Sequence, residues 1–203
     1  MKLLHLDSSI LGANSVSRQL TAAVVDSVRQ RHADATVVYH DLAAAPVAHL
    51  SGEIASANFI AEADWSDTQR KESAVGNALI EEFLAADVVV IGAPMYNFSI
   101  PSQLKSWIDR VCVAGRTFRY GANGPEGLVA PGKTVVIVSS RGGVYTNEQG
   151  KLMDFQEDYL RTVLGFLGVS DIRFVRAEAV NMGEDKRATA IHAARETIAG
   201  LAL

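Results

Sequence analysis

Short apolar runs alternate with longer amphipathic stretches from one end of the chain to the other. Lys2 to Asp7 (KLLHLD), Thr36 to Asp41 (TVVYHD), 87–93 (DVVVIGA), 134–140 (TVVIVSS) and 171–177 (DIRFVRA) are rich in β-branched and apolar residues and predict strands. Between them, a 3.6-residue apolar period predicts helices over about Arg18 to Arg31, Asp67 to Ala86, from about Pro101, Phe155 to Leu167 and Asp185 to Leu201. DVVVIGA is apolar without interruption, the mark of a strand covered on both faces in a parallel sheet. The helix behind it starts at a proline suited to a first turn and carries Leu104, Trp107, Ile108 and Val111 on one face. Two stretches break the alternation. Residues 42–66 are rich in Ala, Pro, Ser and Gly with weak periodicity, a length that compact domains reserve for a functional surface or partner contact, or that belongs to a disordered segment. GANGPEGLVAPGK at 121–133 reads as a glycine-rich loop.

Five strands alternating with five helices specify an α/β fold with a doubly wound parallel sheet, for which the order 2-1-3-4-5 suits this length. With 203 residues and 48% hydrophobic content, the chain is expected to form a single domain over 1–203. The net charge of −4, with basic residues scattered, argues against nucleic acid or an anionic membrane as partner. MKLLHLDSSI is too short an apolar run for a signal peptide, and no apolar window is long enough to span a bilayer, so a cytoplasmic protein is expected. The lone cysteine, Cys112, excludes an internal disulfide and sits in an apolar helical pattern that packs it rather than exposing it as a nucleophile. None of the five histidines pairs with another at ligand spacing, so no metal site is expected.

In an open doubly wound sheet, ligands bind beyond the carboxyl ends of the strands where the strand order reverses. The exits of strands one, three and four read SSILGANSVS, PMYNF and SSRGG. The first opens a helix among Ser9, Ser15 and Ser17, where unpaired N–H groups and hydroxyls suit a monophosphate; a serine there equally well caps the helix. The second sets Asn97 among Met95, Tyr96 and Phe98, a wall for a planar heteroaromatic, although aromatics at a strand end also close a core. The third, Ser140-Arg141-Gly142-Gly143, lets backbone amides approach a ring edge, or simply turns. Together they describe a bound mononucleotide with a large flat ring, for which flavin mononucleotide (FMN) is the natural candidate. No GxGxxG follows the first strand, and Gly132-Lys133-Thr134 enters a strand instead of leaving one for a helix, so neither a dinucleotide fingerprint nor a P-loop is present.

At these residues the sequence resembles the bacterial FMN-dependent NADH azoreductases, also called NADH:quinone oxidoreductases. The resemblance covers essentially the whole chain: SSI with S-x-S near the start, APMYNF-x-I-x-x-QLK at 93–105, AGRTFRY and NGPEGL at 114–128, SSRGG, and FLG at 166–168. It implies a flavodoxin-like fold, one FMN per subunit, NADH as hydride donor, and a homodimer with its active sites at the subunit interface. By motif, Ser9 and Ser15-Val16-Ser17 hold the phosphate and ribityl end, Val16 through its backbone N–H. Met95, Tyr96, Asn97 and Phe98, with Ser140, Arg141, Gly142 and Gly143, surround the isoalloxazine. No side chain is expected to act as a general acid; Asn97 and the two glycine amides tune the flavin, while Phe98, Phe118 and Tyr120 line an apolar slot. The implied reaction is a ping-pong, two-electron reduction of quinones and reductive cleavage of aromatic azo compounds. An electron-carrier flavodoxin is the rival reading, against which stand the mild acidity and the insertions at 42–66 and 115–132. A signalling receiver domain fails because strand three ends in Pro-Met, not in an acid.

Overall fold

Strand β3 (Val88–Pro94) is buried at every position, and the other elements are disposed about it. A computed structural model of the chain describes all 203 residues. β1 (Lys2–Asp7) and β6 (Thr134–Ser140) flank β3 in parallel, with β2 (Thr36–Asp41) and β7 (Asp171–Ala177) at the edges. Counting only the strands of this sheet, the order is the expected 2-1-3-4-5.

The two-residue alternation of each strand divides the core in two. Leu3, Val88, Val90, Val136, Val138 and Val175 face α1 (Val16–Arg31) and α7 (Glu184–Ala199). Leu4, Leu6, Val89, Ile91, Val135 and Ile137 face α3 (Asp67–Ala85), α4 (Ser102–Val111) and α6 (Glu157–Phe166). The register sets Asp7 beside Gly92 and Pro94 beside Ser140, so three strands end nearly level. With strands about 4.8 Å apart, their exits share an edge about 10 Å across.

Three segments carry structure that the pattern did not announce. Within 42–66 lie α2 (Gly52–Ser56) and two 3-10 turns, Ala57–Phe59 and Glu62–Asp64. Trp65 Nε1–H donates to Ala57 O at 3.1 Å, and the Gln69 amide donates to Glu53 O at 3.1 Å and Ser56 Oγ at 2.9 Å, pinning the segment to α3. α5 (Glu148–Lys151) is a single turn capped by Asn147, whose Oδ1 accepts from Gly150 N–H at 2.7 Å.

The third is an antiparallel hairpin, β4 (Phe118–Gly121) and β5 (Gly124–Gly127), in the region read as a loop. GPEG has no β-propensity, so packing makes this pairing. A Cβ on Gly127 would lie 2.2 Å from the Gly168 nitrogen, and Val129 N–H donates to Leu167 O at 3.0 Å. The Gly-Lys-Thr triplet also finds its use here. Buried Lys133 extends Nζ to the carbonyls of Leu84 and Ala86 and so closes the C-terminus of α3, while burial lowers its pKa.

Gly127→Ala should therefore destabilise the protein by roughly 1–3 kcal/mol, the usual scale of overpacking. An unchanged urea midpoint would show that the hairpin yields without cost.

Candidate active site

The chain leaves β1 through Ser8 and Ser9, both buried. Ser8 Oγ–H donates to Gly92 O at 2.6 Å, tying the exits of β1 and β3 together. After a 3-10 turn at Gly12–Asn14, Ser15 takes the N-cap position of α1, its Oγ accepting from Arg18 N–H at 3.3 Å and lying 3.0 Å from Ser17 Oγ. The first N–H groups of α1 have no carbonyl of their own helix to bond. Val16 packs its side chain into the α1 core, so only its backbone faces outward. Two hydroxyls thus meet at the helix N-terminus, and Ser9 is tied to the same helix through its carbonyl, which accepts from Arg18. Ser15 serves both readings, as cap and as a member of this cradle.

One cation holds the loop from beneath. Arg18 makes a bidentate pair with Asp41, 2.6 Å on each side, and its Nη2 and Nε donate to Ser9 O at 2.8 and 3.3 Å. The hydrogen bond to Arg18 holds the Asp41 carboxyl below the usual carboxylate range, and the same bond raises the arginine. Arg18 is thereby neutralised, which leaves the positive field of the cradle to backbone N–H groups and the helix dipole.

The β3 exit folds into a two-residue hairpin turn. Tyr96 N–H donates to Ser99 O at 2.9 Å and Ser99 N–H returns to Tyr96 O at 3.1 Å. Asn97 and Phe98 between them have φ of 48° and 72°, both positive, as a type I′ turn requires. Asparagine tolerates that conformation; phenylalanine pays roughly 1–2 kcal/mol for it. The Asn97 side chain and the N–H groups of both residues have no partner within the protein. Tyr96 Oη lies 3.2 Å from Ser9 Oγ and accepts from Ile10 N–H at 3.1 Å, joining this turn to the serine cradle.

The β6 exit completes the edge. The carbonyls of Arg141, Gly142 and Gly143 accept from Val180, Asn181 and Ala179 at 2.8–3.2 Å, while the N–H groups of both glycines are left without acceptors. A Cβ on Gly142 would lie 2.8 Å from Asn181 Nδ2, so a larger residue there would have to displace the Asn181 amide; at Gly143 the nearest atom is 3.5 Å away, on Tyr145.

Fourteen residues were expected near the strand exits; the side chains of Arg141, Phe118 and Tyr120 lie away from that edge, and Val16 presents only its backbone there. The Arg141 side chain turns away from the open edge. It is 1% exposed and contacts Asp154, Glu157 and Glu178, so it is not at hand for a ring or for a nucleotide 2′-phosphate. Phe118 and Tyr120 lie elsewhere in the chain. α6 starts at the site, where the Gln156 amide donates to Ala93 O at 2.9 Å, and ends at Phe166, whose ring lies 4.6 Å from that of Phe118. Ten helical residues, about 15 Å, separate them. Sequence reasoning passed over Tyr145, in a segment without a motif; its ring meets Phe98 edge to face at 6.5 Å. Cys112 caps the C-terminus of α4, and burial pushes its thiol up to about 11, in keeping with a packed residue.

Residues 1–201 match the model of the family described as having a flavodoxin-like fold. The FMN-dependent NADH:quinone oxidoreductase of Chromobacterium violaceum is 68% identical over 203 residues, the full length of both chains. The chain belongs to the flavodoxin-like family of FMN-dependent NADH:quinone oxidoreductases and azoreductases. Within it, the Polaromonas naphthalenivorans oxidoreductase of the same name is 57% identical over 199 residues, covering 97% of this chain and 91% of that one. The azoreductase structure from Bacillus anthracis strain Sterne superposes with a TM-score of 0.89 at 31% identity, covering 98% of this chain and 97% of that one.

Asp41→Asn should cost roughly 1.5–3 kcal/mol at pH 7 by leaving a hydrogen-bonded charge unmatched. Because the folded-state pKa of Asp41 is lowered, its contribution is full above the unfolded value of about 3.9 and fades as pH falls through the folded value. The stability gap between wild type and variant, measured by urea unfolding, should close in acid. A gap of equal size at pH 7 and pH 3 would remove the charge from the account.

Proposed function

We propose that the chain reduces quinones and cleaves aromatic azo compounds, using FMN with NADH as donor. The observation that carries this reading is the row of unpaired donors, the N–H groups of Asn97, Phe98, Gly142 and Gly143, beside a hydroxyl cradle at a helix N-terminus. A flat ring with polar edges and a phosphate tail fits both halves. The names of the close relatives support the same cofactor and donor.

Ser9, Ser15 and Ser17, with the Val16 N–H, take the phosphate and ribityl end. Met95, Tyr96 and Phe98 flank the ring, and Asn97 with the glycine amides bonds its polar edges; Ser140 and Arg141, whose backbone groups bond Met95, Ala177 and Val180, set the path of the loop. When bound, FMN supplies hydride transfer at N5, in two half-reactions between which NAD⁺ gives way to the acceptor. The chain's own part is to aim donors at the edge where negative charge accumulates on reduction, an arrangement that needs no reorganisation.

The working form is a homodimer with its sites at the interface. Ile10, Leu11, Phe98, Leu152 and Phe155 are exposed on or beside the strand-exit loops, apolar surface that a partner subunit would cover. Since one protomer holds Phe118 and Tyr120 a helix length from Phe98, the slot receives them from the partner subunit. No helix is long and apolar enough to cross a membrane, and the small-molecule substrates call for no nucleic-acid or membrane partner.

The purified protein should show flavin absorption that bleaches on anaerobic addition of NADH and returns with a quinone. Bands that NADH leaves untouched would favour a carrier over an enzyme. Asn97→Leu should retain FMN yet slow its reduction in a single turnover by roughly tenfold, the scale of one lost charge-assisted hydrogen bond. Tyr120→Ala should raise the KM for quinone and azo dye together; an unmoved KM would take Tyr120 out of the slot.

A further inference from the structure

The diglycine edge is held by a half-buried polar assembly that the proposed chemistry does not use directly. At its centre is Glu178, the first residue after β7. Glu178 Oε1 accepts from Tyr145 N–H at 2.8 Å and lies 3.3 Å from Arg141 Nη1, while Oε2 accepts from Thr146 Oγ1–H at 2.6 Å. One carboxylate therefore grips the loop on both sides of Gly142-Gly143. Ala179, next in the chain, has φ of +60°, a left-handed conformation unfavourable to alanine. That turn sends 179–181 back along the loop, where its three N–H groups occupy the carbonyls of 141–143.

Arg141 carries the grip further. Its Nε donates to Ser139 Oγ at 2.9 Å and lies 3.3 Å from Gln156 Oε1; Nη2 is 2.9 Å from Asp154 and 2.5 Å from Glu157, at angles too oblique for hydrogen bonds. With every carbonyl of the loop engaged on one side, the two glycine N–H groups can point only to the other. Their direction is set by what holds 145, 146 and 179–181.

We infer that Glu178 is a positioning residue that fixes the Gly142 and Gly143 N–H groups in the orientation required to stabilise reduced FMN. The inference rests on the FMN reading above. It is the reach of Glu178 that matters, since the carboxylate bridges Tyr145, Thr146 and Arg141. Its negative charge opposes the reduced cofactor.

Reach and charge separate in two substitutions. Glu178→Asp keeps the charge and withdraws the carboxylate by one methylene; Glu178→Gln keeps the length and an acceptor for Tyr145 N–H but loses the charge. Apoprotein of each is titrated with FMN by fluorescence quenching, and the midpoint potential of the reconstituted protein is measured by spectroelectrochemistry. Positioning predicts that Glu178→Asp weakens oxidised FMN roughly fivefold, the scale of one lost hydrogen bond, and reduced FMN further, so that the potential moves negative. Glu178→Gln should bind within about twofold of wild type, with a potential unchanged or more positive.

A Gln variant more damaged than the Asp variant would overturn the inference, as would an Asp variant in which the potential stays at the wild-type value. The same holds if the Asp variant fails to fold while the Gln variant binds FMN with a potential shifted negative. Wild-type apoprotein that does not bind FMN would instead overturn the cofactor reading itself, which the control titration distinguishes.

Discussion

A strand buried on both faces can satisfy its backbone only through its neighbours, and that supply stops where the neighbours stop. β3 lies between β1 and β6 with all three ending nearly level, so their exits hold N–H groups that the ladder no longer pairs. A protein that needed only stability would bond these groups to itself. Here the carbonyls of 141–143 are paired by 179–181, while the amides of Asn97, Phe98, Gly142 and Gly143 are left free on the same edge. The selectivity of that pairing, one side of a loop saturated and the other open, makes the edge a donor surface for something other than the chain.

The local cost of this arrangement is visible in backbone conformation. The non-glycine residues with positive φ are Asn97, Phe98 and Ala179, and all three lie in the turns that frame the edge. Glycine at 98 would relieve the turn but remove the ring that meets Tyr145, so a packing requirement opposes a conformational one. Such conflicts between local preference and global placement concentrate at functional sites.

The sheet was legible because burial on two faces leaves an unmistakable apolar run, and the strand order followed from the alternation of elements and the length. The serine cradle and the two motif loops were legible because switch-point geometry says where to look. The hairpin at 118–127 was not, because GPEG pairs through the contact between Gly127 and Gly168, forty-one residues apart, and no local pattern encodes that. Arg141 misled for a related reason. Its position in SSRGG is readable, but the direction of its side chain depends on Asp154, Glu157 and Glu178, which arrive from later segments. Tyr145 was invisible for want of any motif, and became apparent only when Phe98 was found against it.

The partial burial of Cys112 bears on the survival of the protein in contact with its proposed substrates. Quinones are electrophiles that add readily to thiolates, and an accessible sulfhydryl near the substrate would be alkylated within its own reaction mixture. With its pKa pushed up to about 11, the thiol at the end of α4 is ionised at neutral pH on the order of once in ten thousand molecules. The chain's one thiol is kept protonated by the same helix packing that covers the core.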